Sequence, residues 1–381
     1  MNHTKEKTSI LFVIDGLAFG GGERVFSQII NGLPGGKYEI FLTSQPNEQF
    51  YKAINNNRVH FLSLDFSKRI NFSLIIQLSK IIKKNKIEIV HGQGARAEFY
   101  ARLAKVLAGN AKYVSTTAMP VEGFDIGLPR RKVYLLFDRF SERFVDQFIV
   151  VSDVLRNTMI YEHEVPPEKV VKIYNGIEVG HYSPDKEDSR YRHKIREEFK
   201  IDKDTLLIGA IGRLVWQKGF EYLIKCIPKI IKTFPNVRVL IVGEGQLRDR
   251  LEALGAKLEV KDNLVFTGFR SDIKEILSAI DILAIPSLLE GFPMVTLEAM
   301  AMAKPVIATK IDGITEQIID GESGILIPPK DSGALSSTIT NLLKNKEFAK
   351  NLGLNARKRV EKEFSIEKMV AETEKVYQSL F

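Results

Sequence analysis

The chain has 381 residues, 44% of them apolar, which is too many for one ordinary core, so two domains are expected. Its single cysteine, Cys226, excludes an internal disulfide, fits a reducing compartment and, in an apolar helical stretch, reads as a buried thiol rather than a nucleophile. The net charge of +8 is uneven, with 24 Lys/Arg against 18 Asp/Glu in residues 1–180 and 31 against 29 in the remainder; without zinc-ligand spacing or an RNA-binding motif, nucleic acid is disfavoured and a membrane surface or lipid-linked phosphate suits the basic half.

Met1 to Ser9 is polar and lacks the apolar core of a signal peptide. No apolar run approaches the roughly eighteen residues that span a bilayer, so a cytoplasmic chain is expected, peripheral on the inner membrane face at most. Apolar strands then alternate with amphipathic helices. Strands are predicted at Ile10–Asp15, Glu39–Thr43, Val59–Leu62, Ile87–His91, Tyr113–Thr117, Phe148–Val151 and Val170–Tyr174, with helices such as Phe72–Lys84 and Ala95–Ala108 between them. This is the pattern of a parallel sheet covered on both faces. Residues 178–204 are polar and read as a linker and cap. The alternation restarts with strands at Leu206–Ile211, Arg238–Val242, Leu264–Phe266, Ile282–Ile285, Val306–Ala308 and Gly324–Leu326. Open α/β sheets bind ligands at the C-terminal ends of their strands, so two of them predict a ligand cleft between domains.

In the first half, Gly20-Gly21-Gly22-Glu23-Arg24 follows strand one and offers backbone amides to an anion or sugar. The G-x-G-x-x-G fingerprint is absent, which disfavours a nicotinamide site. His91 closes a strand before Gly92-Gln93-Gly94; it suits either a ligand contact or a hydrogen-bonded structural histidine. Arg130-Arg131-Lys132 precedes a run with Tyr134, Phe137, Phe140 and Phe144. Basic residues beside aromatics suit a membrane interface, but phenylalanines at helical spacing more often face a core.

In the second half, Arg213 and Lys218 follow strand Leu206–Ile211 and can grip both phosphates of a diphosphate. Glu290-Gly291-Phe292-Pro293-Met294-Val295-Thr296-Leu297-Glu298 holds two carboxylates with seven residues between them. Pro293 suits the first turn of a helix running to about Ala303, whose unpaired amides near Met294–Thr296 would face phosphate. Glu290 would reach sugar hydroxyls and Glu298 a ribose diol. Apolar neighbours surround Glu298, and a carboxylate so placed needs a partner. Gly243-Glu244-Gly245 and Thr267-Gly268 end further strands and could border the ligand, or serve as plain turns.

With these elements the chain resembles a retaining glycosyltransferase of family 4. The resemblance rests on the triple-glycine loop, Asn175-Gly176-Ile177, Gly212-Arg213 with Lys218, Gly243-Glu244-Gly245, the Glu290/Glu298 pair, Asp312-Gly313-Ile314-Thr315-Glu316 and Asp320-Gly321-Glu322-Ser323-Gly324, and it covers nearly the whole chain. It implies the GT-B fold, two doubly wound Rossmann-like α/β domains facing a central cleft. Residues 1–177 would bind the acceptor and 178–364 the nucleotide-sugar donor, with the last helix, 365–381, crossing back to the first domain. Arg213, Lys218 and Glu290 would carry catalysis. The donor contacts would be Gly21, Gly22, Gly212, Arg213, Lys218, Gly245, Thr267, Glu290, Gly291, Phe292, Met294, Val295, Thr296 and Glu298. His91, Thr117, Ala118 and Glu122 would meet the acceptor. No metal and no cofactor are implied, since the nucleotide-sugar is a substrate. Family members often carry a histidine where this chain has Ala118, which removes one expected contact. The implied activity is transfer of a sugar from a nucleotide-sugar donor, with UDP the expected nucleotide, to a glycan or lipid-linked glycan of the cell surface. A GT-B epimerase, or a silent glycan- or nucleotide-binding partner, are the rival readings; incubation with donor and acceptor separates transfer from epimerisation and from binding alone.

Overall fold

The computed structural model describes residues 7–16, 19–68, 71–118, 137–182, 184 and 188–381. The chain divides into two compact units. One comprises Met1–Gly176 with Ile366–Phe381, the other Ile177–Ser365.

The first unit is built on seven parallel strands, β1 (Thr8–Ile14), β2 (Tyr38–Ser44), β3 (Val59–Ser63), β4 (Ile89–Gln93), β5 (Lys112–Thr117), β6 (Gln147–Val150) and β7 (Val170–Lys172), in the order β3-β2-β1-β4-β5-β6-β7. The central strand β1 is apolar on both sides, with Ile10 to Val13 fully buried, because helices cover both faces of a doubly wound sheet. Helices Gly21–Gly32, Ser73–Lys84 and Ala95–Ala108 provide that cover. The C-terminal helix Ile366–Gln378 belongs to this unit and docks through Tyr377, whose hydroxyl lies 2.6 Å from Nδ1 of His91. Glu374 of the same helix pairs with Lys37 at 2.9 Å.

The second unit carries six parallel strands, β8 (Leu206–Ile211), β9 (Val237–Val242), β10 (Leu264–Gly268), β11 (Ile282–Ile285), β12 (Val306–Thr309) and β13 (Ile325–Ile327), in the order β10-β9-β8-β11-β12-β13. Its core joins Ile208, Ile224, Ile241 and Ile307. Cys226 lies in that core, where burial pushes its thiol up to about 12, so it stays protonated and inert.

The polar stretch 178–204 is not the linker and cap that its composition predicts. It holds the helix Asp188–Glu198. Ile195 is fully buried, and Arg192 and Arg196 both bond Asp281 at the head of β11, at 2.7 and 3.1 Å. Arg196 also donates to the carbonyls of Asp202 and Thr205. Charged side chains tie this helix to the unit where an apolar stripe would ordinarily do so.

Candidate active site

The loop after β8 is shaped by close backbone approach. Gly243 stands where a Cβ would meet the Gly212 carbonyl oxygen at 2.0 Å, and Gly245 where one would meet that of Leu214 at 2.5 Å. Leu214 N donates to the Glu244 carbonyl at 2.8 Å, which locks the two loops together. Gly245, expected at the donor, therefore has a backbone-packing role here. Trp216–Lys218 forms one 3-10 turn, and Gly219 follows in the left-handed region at φ +60°. A side chain there would strike the Pro286 carbonyl oxygen at 2.1 Å. This turn presents Lys218 before the helix Phe220–Ile231 begins.

Lys218 Nζ donates to both oxygens of Glu290, at 2.6 and 2.9 Å. Ser287 Oγ donates to the same carboxylate at 2.7 Å. Glu290 is buried and Lys218 partly so, and the pairing resolves the cost of an isolated buried charge. Arg213 is exposed, and among the described residues no hydrogen bond or ion pair holds its guanidinium.

The helix expected after Pro293 runs from Met294 to Ala301. Pro293 is its N-cap rather than its first helical residue, with ψ at 126° in the extended range. No side chain caps this end, and no acidic residue occupies its first turn. The amides of Met294, Val295 and Thr296 stand at a positive helix terminus. The Thr296 hydroxyl oxygen is buried without a hydrogen-bond partner.

Glu298, 2% exposed on the second turn, accepts a 3.0 Å hydrogen bond from the Tyr182 hydroxyl. This is the partner its apolar neighbours demand. Phe292 differs from expectation. Its ring is buried and meets Phe364 edge-on at 5.5 Å, so it is core and only its backbone can face a ligand. Gly291 is likewise buried. Thr267, the penultimate residue of β10, donates its hydroxyl to the Gly268 carbonyl at 2.9 Å. The second unit thus brings Lys218 and Glu290 together, places Tyr182 on Glu298, and leaves an uncapped helix end. Ser287 and Tyr182 were missed as site residues. Ser287 sits three residues before Glu290, a spacing that could have flagged it. Nothing local marks Tyr182, whose partner is 116 residues away.

In the first unit, Gly21 and Gly22 open the helix Gly21–Gly32, and Glu23 folds back to accept from Gly20 N at 3.0 Å. Burial pulls the carboxyls of Glu23 and Asp15 above their usual range. A cavity of about 200 Å³ opens here at the C-terminal ends of β1, β4 and β5. Asp15, Gly22, Glu23, Gln93, Thr117 and Ala118 are among the residues that line it. Deeper in its wall, Arg102 donates to Glu98 at 2.9 Å and to Asp138 at 2.6 Å, and His163 pairs with Glu142 at 2.7 Å. Burial pushes the Glu98 carboxyl up to about 7, against the pull of Arg102.

His91 is not an acceptor contact. It is fully buried; Nδ1 meets the Tyr377 hydroxyl at 2.6 Å and Nε2 the Thr116 hydroxyl at 2.7 Å. Both ring nitrogens are spent inside the unit, and burial lowers its pKa to about 3, so the ring is neutral. Thr117 and Ala118 do line the cavity. Glu122 lies outside the described residues, as do Arg130, Arg131, Lys132 and Tyr134. Phe137 and Phe140, expected to favour a core, are instead 48% and 46% exposed. Among the described residues no three His, Cys, Asp or Glu side chains gather as metal ligands, and no helix is long and apolar enough to cross a membrane.

Comparison with known proteins places this geometry. The sequence model for glycosyl transferases group 1 matches residues 191–359, and that for glycosyltransferase family 4 matches residues 19–181. An uncharacterized glycosyltransferase of Methanocaldococcus jannaschii is 34% identical over 235 residues, which is 61% of this chain and 59% of that protein. The UDP-Gal:alpha-D-GlcNAc-diphosphoundecaprenol alpha-1,3-galactosyltransferase of Escherichia coli is 26% identical over 388 residues, covering 99% of this chain and 98% of that one. The Anabaena protein HepE, solved in complex with UDP and glucose, has the same fold, with a TM-score of 0.85 at 20% identity over 98% of this chain and 100% of its own. Two doubly wound units of this kind define the GT-B fold. The chain belongs to the group 1 glycosyltransferases.

Proposed function

We propose that the protein is a retaining glycosyltransferase that works without a metal ion. It moves a sugar from a UDP-sugar to a glycan or lipid-linked glycan acceptor, in the synthesis of a cell-surface polysaccharide, on the cytoplasmic side of the membrane. The observation that carries this reading is the pairing of Lys218 with Glu290 beside an uncapped helix end and an unspent Arg213. The E. coli relative supports the donor and acceptor classes, since its name specifies a UDP-sugar and a lipid diphosphate sugar.

In this reading the diphosphate docks on the amides of Met294–Thr296, on Arg213 and on Lys218. Glu298, oriented by Tyr182, takes the ribose diol, and Glu290 takes hydroxyls of the transferred sugar. The bond between the anomeric carbon and the diphosphate oxygen breaks, and negative charge grows on that oxygen. Two cations and a helix terminus stabilise the charge, the role elsewhere given to a metal. The acceptor hydroxyl attacks the face that the diphosphate leaves, and its proton passes to a phosphate oxygen. The new bond keeps the anomeric configuration of the donor.

Contact with an anionic membrane is part of the proposal. The exposed Phe137 and Phe140, with Arg143 over the Phe140 ring at 4.2 Å, offer apolar and basic groups together.

The test is incubation with a panel of nucleotide-sugars and glycan acceptors, with product linkage read by NMR. The expected product has the donor's anomeric configuration and forms undiminished after exhaustive chelation. An inverted linkage, or full and reversible loss with chelator, overturns the corresponding part. Epimerised donor without transfer overturns the whole.

A further inference from the structure

The cavity of the first unit carries a charge pattern that selects its ligand. We propose that it takes an uncharged, hydroxyl-rich sugar residue and rejects sugars that bear a carboxylate or phosphate. The inference rests on the acceptor side of the proposed transfer and narrows it to one class of acceptor.

The first observation is an unmatched acceptor. Gln93 is 5% exposed, lines the cavity, and its carboxamide oxygen has no hydrogen-bond partner. Its amide lies against Gly22 at the cavity wall, 3.2 Å from where a Cβ would stand. Buried polar atoms are almost always paired, and an orphan on a residue that lines a cavity marks a place where a ligand donor fits once the carboxamide turns toward it.

The second observation is the sign of the wall. Asp15, Glu23, Glu98, Asp138 and Glu142 line the cavity, and Arg102 and His163 are the only basic side chains among its described lining. Neither is available. Arg102 is committed to Glu98, Asp138 and Ser115, and His163 to Glu142. An anionic group entering here meets Asp15 and Glu23, which no cation of the lining pairs, Arg96 acting on Asp15 from outside the lining; the low-dielectric wall enlarges the repulsion from whichever of these carboxyls are ionised. Hydroxyl groups meet the opposite situation. Each donates one hydrogen bond, and carboxylates and a carboxamide oxygen accept them, the carboxylates with charge assistance. The cavity, about 200 Å³, is roomy enough for water, and a polyhydroxylated ring that takes its place can make hydrogen bonds to the same wall groups.

The experiment measures binding of methyl glycosides of glucose, galactose, mannose and N-acetylglucosamine, and of the matching uronates and 6-phosphates, to the full-length protein by saturation-transfer NMR. UDP is titrated in the same samples. At least one neutral glycoside should bind, roughly tenfold or more tighter than its charged counterparts. Gln93→Leu should weaken it about fivefold or more. Asp15→Asn should narrow the gap between neutral and charged sugars. Circular dichroism melting confirms that each variant is folded, and a variant that is not folded is replaced by Gln93→Met or Glu23→Gln at the same wall. A uronate or phosphate that binds as tightly as its neutral partner overturns the inference. So does a panel in which no neutral glycoside binds, or an unchanged affinity in the folded Gln93 variant. Failure of UDP to bind the wild type would instead remove the proposed donor site while leaving this selectivity standing.

Discussion

Lys218 donates to both carboxylate oxygens of Glu290, at 2.6 and 2.9 Å. The cation proposed for the leaving phosphate and the carboxylate proposed for the sugar neutralise each other in this pairing. A bound diphosphate can draw the ammonium toward itself and leave Glu290 free to accept sugar hydroxyls. The charge is preorganised, and its pairing avoids a lone buried carboxylate.

Replacing Lys218 or Arg213 by Ala should lower turnover by roughly a hundredfold or more, as loss of a preorganised charge contact does. The Arg213 variant should fold normally, because its side chain is exposed and unpaired among the described residues. Lys218→Ala leaves Glu290 without its cation, and a double variant with Glu290→Gln should recover stability but not activity. Steady-state kinetics with a thermal melt checks this. Near-wild-type turnover in both single variants would remove the assigned role.

Tyr182 acts through Glu298 by holding its carboxylate with a 3.0 Å hydrogen bond. Tyr182→Phe keeps the ring and loses the bond. Hydrogen bonds to charged groups contribute about 1.5–3 kcal/mol, so kcat/KM should fall on the order of tenfold. The loss should appear mainly in donor KM, because a ribose contact is made equally in ground and transition states. An unchanged KM, or a loss confined to kcat, would show that Tyr182 does not position Glu298 for the donor.

Alternating apolar runs disclosed the fold. All thirteen predicted strands occur within two residues of their expected ends, because a strand buried on both faces writes its length as an apolar run. The Glu290–Glu298 element was visible because its carboxylates sit in apolar sequence. What escaped depends on contacts distant in the chain. The helix Asp188–Glu198 is fixed by Arg192 and Arg196 on Asp281, and its own composition reads as a linker. Local sequence leaves the role of His91 open, because its partner Tyr377 lies 286 residues away. Phe137 and Phe140 have helical spacing whether a helix turns them inward or outward, so periodicity alone could not place them.

His91 and Glu98 set opposing pH dependences. His91 titrates at about 3 when folded and near 6.5 when unfolded. The unfolded chain therefore binds the proton first, and stability falls as pH drops below 6.5. Between pH 7 and 5 this amounts to about 2 kcal/mol, at ~1.4 kcal/mol per unit. Burial raises the Glu98 carboxyl to about 7 when folded, so the folded state takes its proton first and gains stability as pH falls through that range. The two contributions oppose each other. Glu98→Gln removes the gain, and its urea stability should fall more steeply from pH 7 to 5 than that of the wild type. The His91 ring should remain neutral by NMR down to about pH 4. A His91 titration near pH 6, or a variant with the wild-type pH trend, would contradict the buried neutral ring.

The exposed Phe137 and Phe140 give the membrane proposal its sharpest test. Solvent-facing phenylalanines gain by leaving water, and Arg139 and Arg143 stand beside them. The sequence adds Arg130, Arg131 and Lys132 just upstream, in a half with an excess of basic residues. The protein should cosediment with vesicles of anionic lipid at low salt. Binding should weaken as salt rises, since exposed charges are screened within about 8 Å at physiological ionic strength. Arg130→Glu, Arg131→Glu and Lys132→Glu together should reduce the electrostatic part at roughly 1 kcal/mol or more per residue. Phe137→Ser with Phe140→Ser should reduce the part that persists at high salt. UDP affinity should be unchanged in both sets. A wild type that stays in the supernatant at low salt with anionic lipid defeats the membrane contact. Loss from the charge variants alone would assign the attraction to the basic cluster and leave the two phenylalanines without a role in it.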